Sequence, residues 1–147
     1  MQIRPFRPED EAQVIELIRL NTPEYFHASE EQELVEYLQN EREDYFVVEI
    51  EHKVVGAGGI NYFPEEKAAR ISWDLIHPDY QGQGIGRALT RHRLAYLSSN
   101  AQVKKIVVRT SQLAYHFYQK MGFRLASTEE NYWAPGYHLY LMRKENA

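Results

Sequence analysis

The chain contains no cysteine, which excludes disulfides, thiolate zinc sites and a cysteine nucleophile. It has no stretch near the roughly 18 apolar residues that a membrane span requires. No apolar signal core follows Met1-Gln2-Ile3-Arg4-Pro5, and a strand-like pattern starts at once, as expected of a cytoplasmic protein. Positive charge is in short supply. The formal net charge is −4, which argues against broad nucleic-acid binding. The six histidines never pair at metal-ligand spacing, so no metal is expected. Without a Gly-x-Ser-x-Gly segment, serine hydrolase chemistry has no support. No repeat, low-complexity run or Pro/Gly/Ser linker breaks the 147 residues. One domain over 1–147 is therefore expected, long enough for a real core.

What is present is an ordinary globular balance, 44% apolar and 26% charged, with eleven tyrosines. Ile3 to Phe6 reads as a strand. Pro8-Glu9-Asp10 opens a helix carried by Val14, Leu17 and Ile18 and stopped at Thr22-Pro23. Ser29 to Gln32 fits a capping box ahead of a second helix with Leu34, Val35 and Leu38 on one face. Tyr45 to Ile50 and Val54 to Phe63 make an antiparallel hairpin around Glu51-His52-Lys53. Gly56, Gly58 and Gly59 in its second strand suggest that another chain or a ligand comes close. Ala69 to Ile76 is a fourth strand, with Ile71, Trp73 and Leu75 alternating against Arg70, Ser72 and Asp74. A helix follows to about Ser98, then a β-rich run over Lys104 to Arg109. A helix opened by Ser111 stops at Met121-Gly122. Phe123 to Thr128 and Tyr137 to Arg143 close the chain around Ala134-Pro135-Gly136. The strand–helix–strand unit over 69–109 needs a crossover, so its strands should be parallel. The fold class is mixed α/β: a mostly antiparallel sheet of about seven strands flanked by four helices, on both faces.

Between the fourth strand and its helix lies Gln81-Gly82-Gln83-Gly84-Ile85-Gly86-Arg87. Three glycines in five positions let several backbone amides converge at a helix N-terminus, an anion site suited to a diphosphate. Arg87 or Arg91 would add a charge-assisted contact. The P-loop pattern fails, because Gly-Arg-Ala stands where Gly-Lys-Ser/Thr is needed. The dinucleotide fingerprint fails too, because its last glycine falls on Arg87 or Leu89.

Gln81-x-x-Gly84-x-Gly86 resembles the Arg/Gln-x-x-Gly-x-Gly/Ala signature of the GNAT superfamily of acetyl-coenzyme A-dependent N-acetyltransferases. Leu75-Ile76-His77-Pro78-Asp79-Tyr80 is similar to the family's lead-in. The stretch from Ala114 to Phe123 is similar to its Ala-x-x-Phe-Tyr-x-Lys-x-Gly-Phe helix. The resemblance covers about residues 69 to 125. It implies that Gln81, Gly82, Gln83, Gly84, Ile85, Gly86 and Arg87 hold the diphosphate of coenzyme A. Leu75 and Ile76 would bond the pantetheine arm through backbone groups. Ser111 stands where the family often has an asparagine near the cofactor, close to Ala114. Tyr118 stands at the general acid. Where some members carry a glutamate early in the fourth strand, this chain has Ala68-Ala69-Arg70. Asp74 remains as a base, a substrate contact or a structural hydrogen bond. Tyr25, Phe26, Trp73, Tyr132, Trp133 and Tyr137 are candidate acceptor walls, suited with Asp74 to an ammonium.

The implied activity is acetyl transfer to a primary amine of a small molecule or peptide by direct attack in a ternary complex. The alternative is a non-catalytic module that binds acyl-coenzyme A. A nucleic-acid binder using Arg87, Arg91 and Arg93 is the weakest reading. The resemblance also allows a homodimer through the final strands.

Overall fold

The computed structural model describes residues 1–146. In chain order the elements are β1 (Gln2–Pro5), α1 (Glu11–Leu20), α2 (Glu30–Glu36), β2 (Asp44–Ile50), β3 (Lys53–Phe63), β4 (Ala68–Ile76), α3 (Ile85–Ser98), β5 (Lys105–Thr110), α4 (Tyr115–Lys120), β6 (Arg124–Ala134) and β7 (Tyr137–Glu145). The strands form one sheet in the order β1-β2-β3-β4-β5-β7-β6. Neighbours are antiparallel except β4 and β5, which run parallel as the crossover through α3 demands. This is the mixed, mostly antiparallel architecture that the element order predicts.

Side-chain alternation divides the core between the two faces. Phe46, Val48, Ile60, Ile71, Ile106, Val108 and Met142 pack against Ile85, Leu89, Leu97 and Tyr118, which puts α3 and α4 on one face. Tyr45, Val47, Val54, Ala57 and Leu75 pack against Val14, Leu17, Ile18, Leu34 and Leu38, which puts α1 and α2 on the other. Each fully buried side chain of this kind stabilises the fold by about 1.5–3 kcal/mol.

Four local expectations are corrected. Ser29 does not cap α2, and its hydroxyl bonds the His27 ring instead (2.8 Å). Glu30 supplies the returning half of the box by accepting from the His27 backbone N–H at 2.9 Å. The β3 glycines make room for the protein's own side chains rather than for another chain or a ligand. A Cβ at Gly59 would lie 2.4 Å from the Tyr45 ring, and one at Gly58 would lie 2.5 Å from Asp74 Oδ1. β6 runs on to Ala134, well past Thr128, with nine consecutive exposed residues. Solvated on both sides, it carries no apolar alternation to read.

The fourth correction shapes the site. The regular alternation Ile71-Trp73-Leu75 is broken by a bulge. Ala57 pairs with Leu75 and Gly59 with Ser72, so Trp73 and Asp74 together oppose Gly58. Trp73 takes a left-handed φ of 52° to accommodate this. Ile71 and Leu75 therefore face opposite sides of the sheet.

Candidate active site

The glycine turn has the geometry that an anion needs. Gly82 and Gly84 sit at φ 78° and 82°, where side chains with a Cβ are disfavoured. A Cβ at either would meet nothing within 4 Å, so backbone conformation and not crowding requires glycine. The first turn of α3 contains no acid. Ala88 N–H is the first to bond back, to Gly84 O at 3.0 Å. Among the described residues, the N–H groups from Gly82 to Arg87 find no protein acceptor. Free donors at the positive end of a fourteen-residue helix fit a phosphate group. Arg87 and Arg91 are exposed on that same helix.

Beside this turn the sheet opens. The parallel pairing of β4 with β5 ends at Ile71↔Val108. From Ser72 to Ile76, including the expected Leu75 and Ile76, β4 has no strand partner on that side among the described residues. The bulge explains why, since it turns β4 away just where pairing stops. Asn21, which the sequence reading missed, pins the open end. Its Nδ2 donates to Leu17 O (2.8 Å) and Ile76 O (2.9 Å), and its Oδ1 accepts from Gln81 Nε2 at 3.2 Å. Gln81 thus ties the turn to α1, and its side chain faces the protein.

Asp74 and Tyr118 come together on the α3/α4 face. The Tyr118 hydroxyl donates to Asp74 Oδ2. Arg93 Nη1 donates to Asp74 Oδ1 at 2.5 Å and to Gly59 O at 3.0 Å. Arg93 is completely buried, which corrects its reading as a surface cation. Burial works against its charge, but the Asp74 carboxylate outweighs burial and holds the guanidinium charged. Among the described residues, its Nη2 has no partner. The Tyr118 hydroxyl is pushed well above its ordinary value of 10, first by burial and then by the Asp74 charge, with Arg93 opposing. The spacing Ile85, Leu89, Arg93, Leu97 puts Arg93 on the apolar stripe of α3, and that was the available signal. Ser111 is buried, and its hydroxyl accepts from Leu113 N–H at 3.2 Å, shaping the turn through Ala114 into α4.

The acceptor candidates gather on the other face in two groups. Phe26 stacks on Trp73 (6.3 Å), and Tyr37 lies 6.2 Å from Trp73. Tyr132 packs against Trp133 (5.0 Å), whose Nε1 donates to Thr110 O at the end of β5. Tyr137 links the groups by donating to Pro23 O at 2.7 Å. Tyr25 is half-buried, and its backbone N–H donates to Asn21 O. Asp74 does not join the aromatics. The bulge sends it to the opposite face, so the expected ammonium cage of Asp74 and aromatics is not formed.

No cluster of three or more potential metal ligands occurs among the described residues. None of their helices is long and apolar enough to cross a membrane.

Several known acetyltransferases are similar to this chain. An amino-acid acetyltransferase of Actinobacillus pleuropneumoniae serotype 3 (strain JL03) is 32% identical over 97 residues, covering 65% of this chain. The chain spans only 21% of that protein's length. An N-alpha-acetyltransferase of Sulfurisphaera tokodaii is 28% identical, covering 96% of this chain and 90% of that one. Among solved structures, an aminoglycoside 6'-N-acetyltransferase complexed with coenzyme A shares the fold at a TM-score of 0.78 and 18% identity, covering 100% and 98% of the two chains. The model of the acetyltransferase (GNAT) family matches residues 12–123. With the glycine turn, the opened β4–β5 pair and the α4 tyrosine in the described arrangement, the chain belongs to the GNAT family of acetyltransferases.

Proposed function

We propose that the protein transfers an acetyl group from acetyl-coenzyme A to a primary amine by direct attack in a ternary complex. The observation that carries this reading is the end of β4–β5 pairing at Ile71↔Val108, directly beside a turn full of free amides. The amides from Gly82 to Arg87 are suited to a diphosphate, and the unpaired edge at Leu75 and Ile76 to the amides of a pantetheine arm. The thioester supplies an activated acyl carbon and a thiolate leaving group. As the C–N bond forms and the C–S bond breaks, one proton leaves the amine and one reaches the sulfur.

Tyr118 is the group proposed to serve the sulfur. Its raised pKa keeps the hydroxyl protonated throughout the neutral range, so it donates only as negative charge develops. Both oxygens of Asp74 are engaged, by Arg93 and by Tyr118. This supports a positioning role for Asp74, acting through Tyr118, over direct contact with the acceptor. The proton of the amine passes to solvent.

Calorimetric titration with acetyl-coenzyme A, desulfo-coenzyme A and an unrelated dinucleotide tests the cofactor half. The first two should bind and the third should not. Failure of acetyl-coenzyme A to bind at millimolar concentration defeats the proposal. Tyr118→Phe tests the other half. Cofactor affinity should hold while turnover falls by about 10²-fold or more. Equal inertness of wild type and variant on a broad amine panel would return the non-catalytic alternative.

A further inference from the structure

The acceptor face carries two arginines, Arg70 and Arg109, with no ion-pair partner among the described residues, the charge of Glu41 reaching Arg70 only without contact. Ile71 and Val108 point into the α3/α4 core, so their neighbours Arg70 on β4 and Arg109 on β5 project from the opposite face. That is the face bearing Trp73, Phe26 and Tyr37. Arg70 stands in the next-to-last pair before the strands part, Arg70↔Val107, and Arg109 follows the last one. The two guanidiniums therefore lie at the vertex of the opening. Aromatic rings brace both. Arg70 lies over Phe63 (4.8 Å), and Arg109 lies over Tyr132 (5.2 Å) and Trp133 (5.4 Å) and donates to the Tyr132 hydroxyl.

Neither arginine forms an ion pair among the described residues, and the Arg70 guanidinium makes no hydrogen bond there. Three other arginines are paired with carboxylates. Arg4 holds Asp10, Arg19 holds Glu31 and Arg93 holds Asp74. Both members of the pair are half-buried, and burial followed by the charge of Arg109 lowers the pKa of Arg70. Two partly desolvated like charges side by side are unfavourable unless an anion joins them. A carboxylate is matched to guanidinium forks in shape and charge. A polycationic acceptor would be repelled here.

We infer that the acceptor is an amine whose own molecule carries a carboxylate, held by Arg70 and Arg109 while its amino group faces the opening between β4 and β5. This rests on the N-acetyltransferase reading and deepens it by naming the class of substrate.

The test is equilibrium binding, so that it stands apart from turnover. A panel of α-amino acids and the matching carboxamides is titrated calorimetrically into the protein saturated with coenzyme A. At least one amino acid should bind about tenfold or more tightly than its amide. Arg70→Gln and Arg109→Gln should each weaken carboxylate binding by about 10- to 100-fold, the effect of one charge-assisted contact. Arg70→Lys, which keeps the charge but loses the fork, should bind the carboxylate better than Arg70→Gln and less well than wild type. Urea midpoints check that each variant is folded. Amides binding as well as acids, no binding by either series, or a preference surviving both substitutions would overturn the inference. An aminoalkylphosphonate preferred over the matching carboxylate would overturn it as well. Thiol release is then measured on the same panel. Selective binding of an acid that is never acetylated defeats the enzymatic reading alone. Acetylation of neutral amines, with carboxylates neither bound nor turned over better, defeats the substrate class alone.

Discussion

Gly58→Ala probes the packing beneath Tyr118. An ideal Cβ at this position falls 2.5 Å from Asp74 Oδ1, 2.8 Å from Arg93 Nη1 and 3.0 Å from Arg93 Cζ. Ordinary contact begins near 3.4 Å, so the carboxylate must retreat by 3.4 − 2.5, or 0.9 Å. The end of a side chain usually gives way cheaply, but here it cannot. Arg93 is completely buried and tied to Gly59 O and Leu89 O, and the other oxygen of Asp74 holds Tyr118. Crowding of this kind costs about 1–3 kcal/mol. Full rupture of a buried pair costs about 3–5 kcal/mol, which sets a ceiling. Alanine returns about 0.5–1 kcal/mol by restricting the unfolded chain. A net loss is expected, up to about 2.5 kcal/mol from crowding (3 − 0.5) and about 4.5 kcal/mol if the pair ruptures (5 − 0.5), read as a lower urea midpoint at constant m. Gly56→Ala is the control. The atoms nearest its Cβ would be methyl groups of Ile76, Ile85 and Val48, at 3.2–3.3 Å, and its loss should be smaller. A Gly58→Ala midpoint equal to wild type would refute the packing argument.

Asn21→Ala removes two buried donor contacts and the tie to Gln81. It should lower stability by about 1–3 kcal/mol and weaken acetyl-coenzyme A binding by loosening the end of β4. Unchanged urea midpoint and affinity would count against its role. Glu30 is buried, and burial pushes its carboxyl up to about 7, with the His27 N–H pulling the other way. Between its unfolded value of 4.5 and about 7 the folded state holds the extra proton. Stability should therefore fall as pH rises through that window, by at most about 3 kcal/mol. Urea midpoints at pH 5 and pH 8 check this, and Glu30→Gln should flatten the slope. An equal slope in the variant would exclude Glu30 as the source.

The elements that were legible in the sequence leave residue-type traces. Left-handed positions at Gly82, Gly84 and Gly122 select glycine, so the anion turn and the end of α4 stood out. Tyr118 was found through the helix motif around it. Arg93 was misread because a charged helical residue is solvent-facing by default, although its spacing from Leu89 and Leu97 told otherwise. The bulge at Trp73 was invisible, because Ile71-Trp73-Leu75 reads as unbroken alternation. Only the two-against-one pairing with Gly58 reveals it. Arg70 was noted as the place where a glutamate was lacking. Its meaning as an unpaired charge needed the neighbouring strand.

The kink in β4 also separates two histories. Trp73 and Asp74 are adjacent in sequence yet lie on opposite sides of the sheet, one in the aromatic wall and one under the tyrosine. A mutation at codon 73 remodels the aromatic group of Phe26, Tyr37 and Trp73, the proposed acceptor wall. A mutation at codon 74 disturbs the carboxylate that holds the Tyr118 hydroxyl, the group proposed to serve the sulfur. Selection for a different amine can therefore act on one position while the chemistry is preserved one residue away.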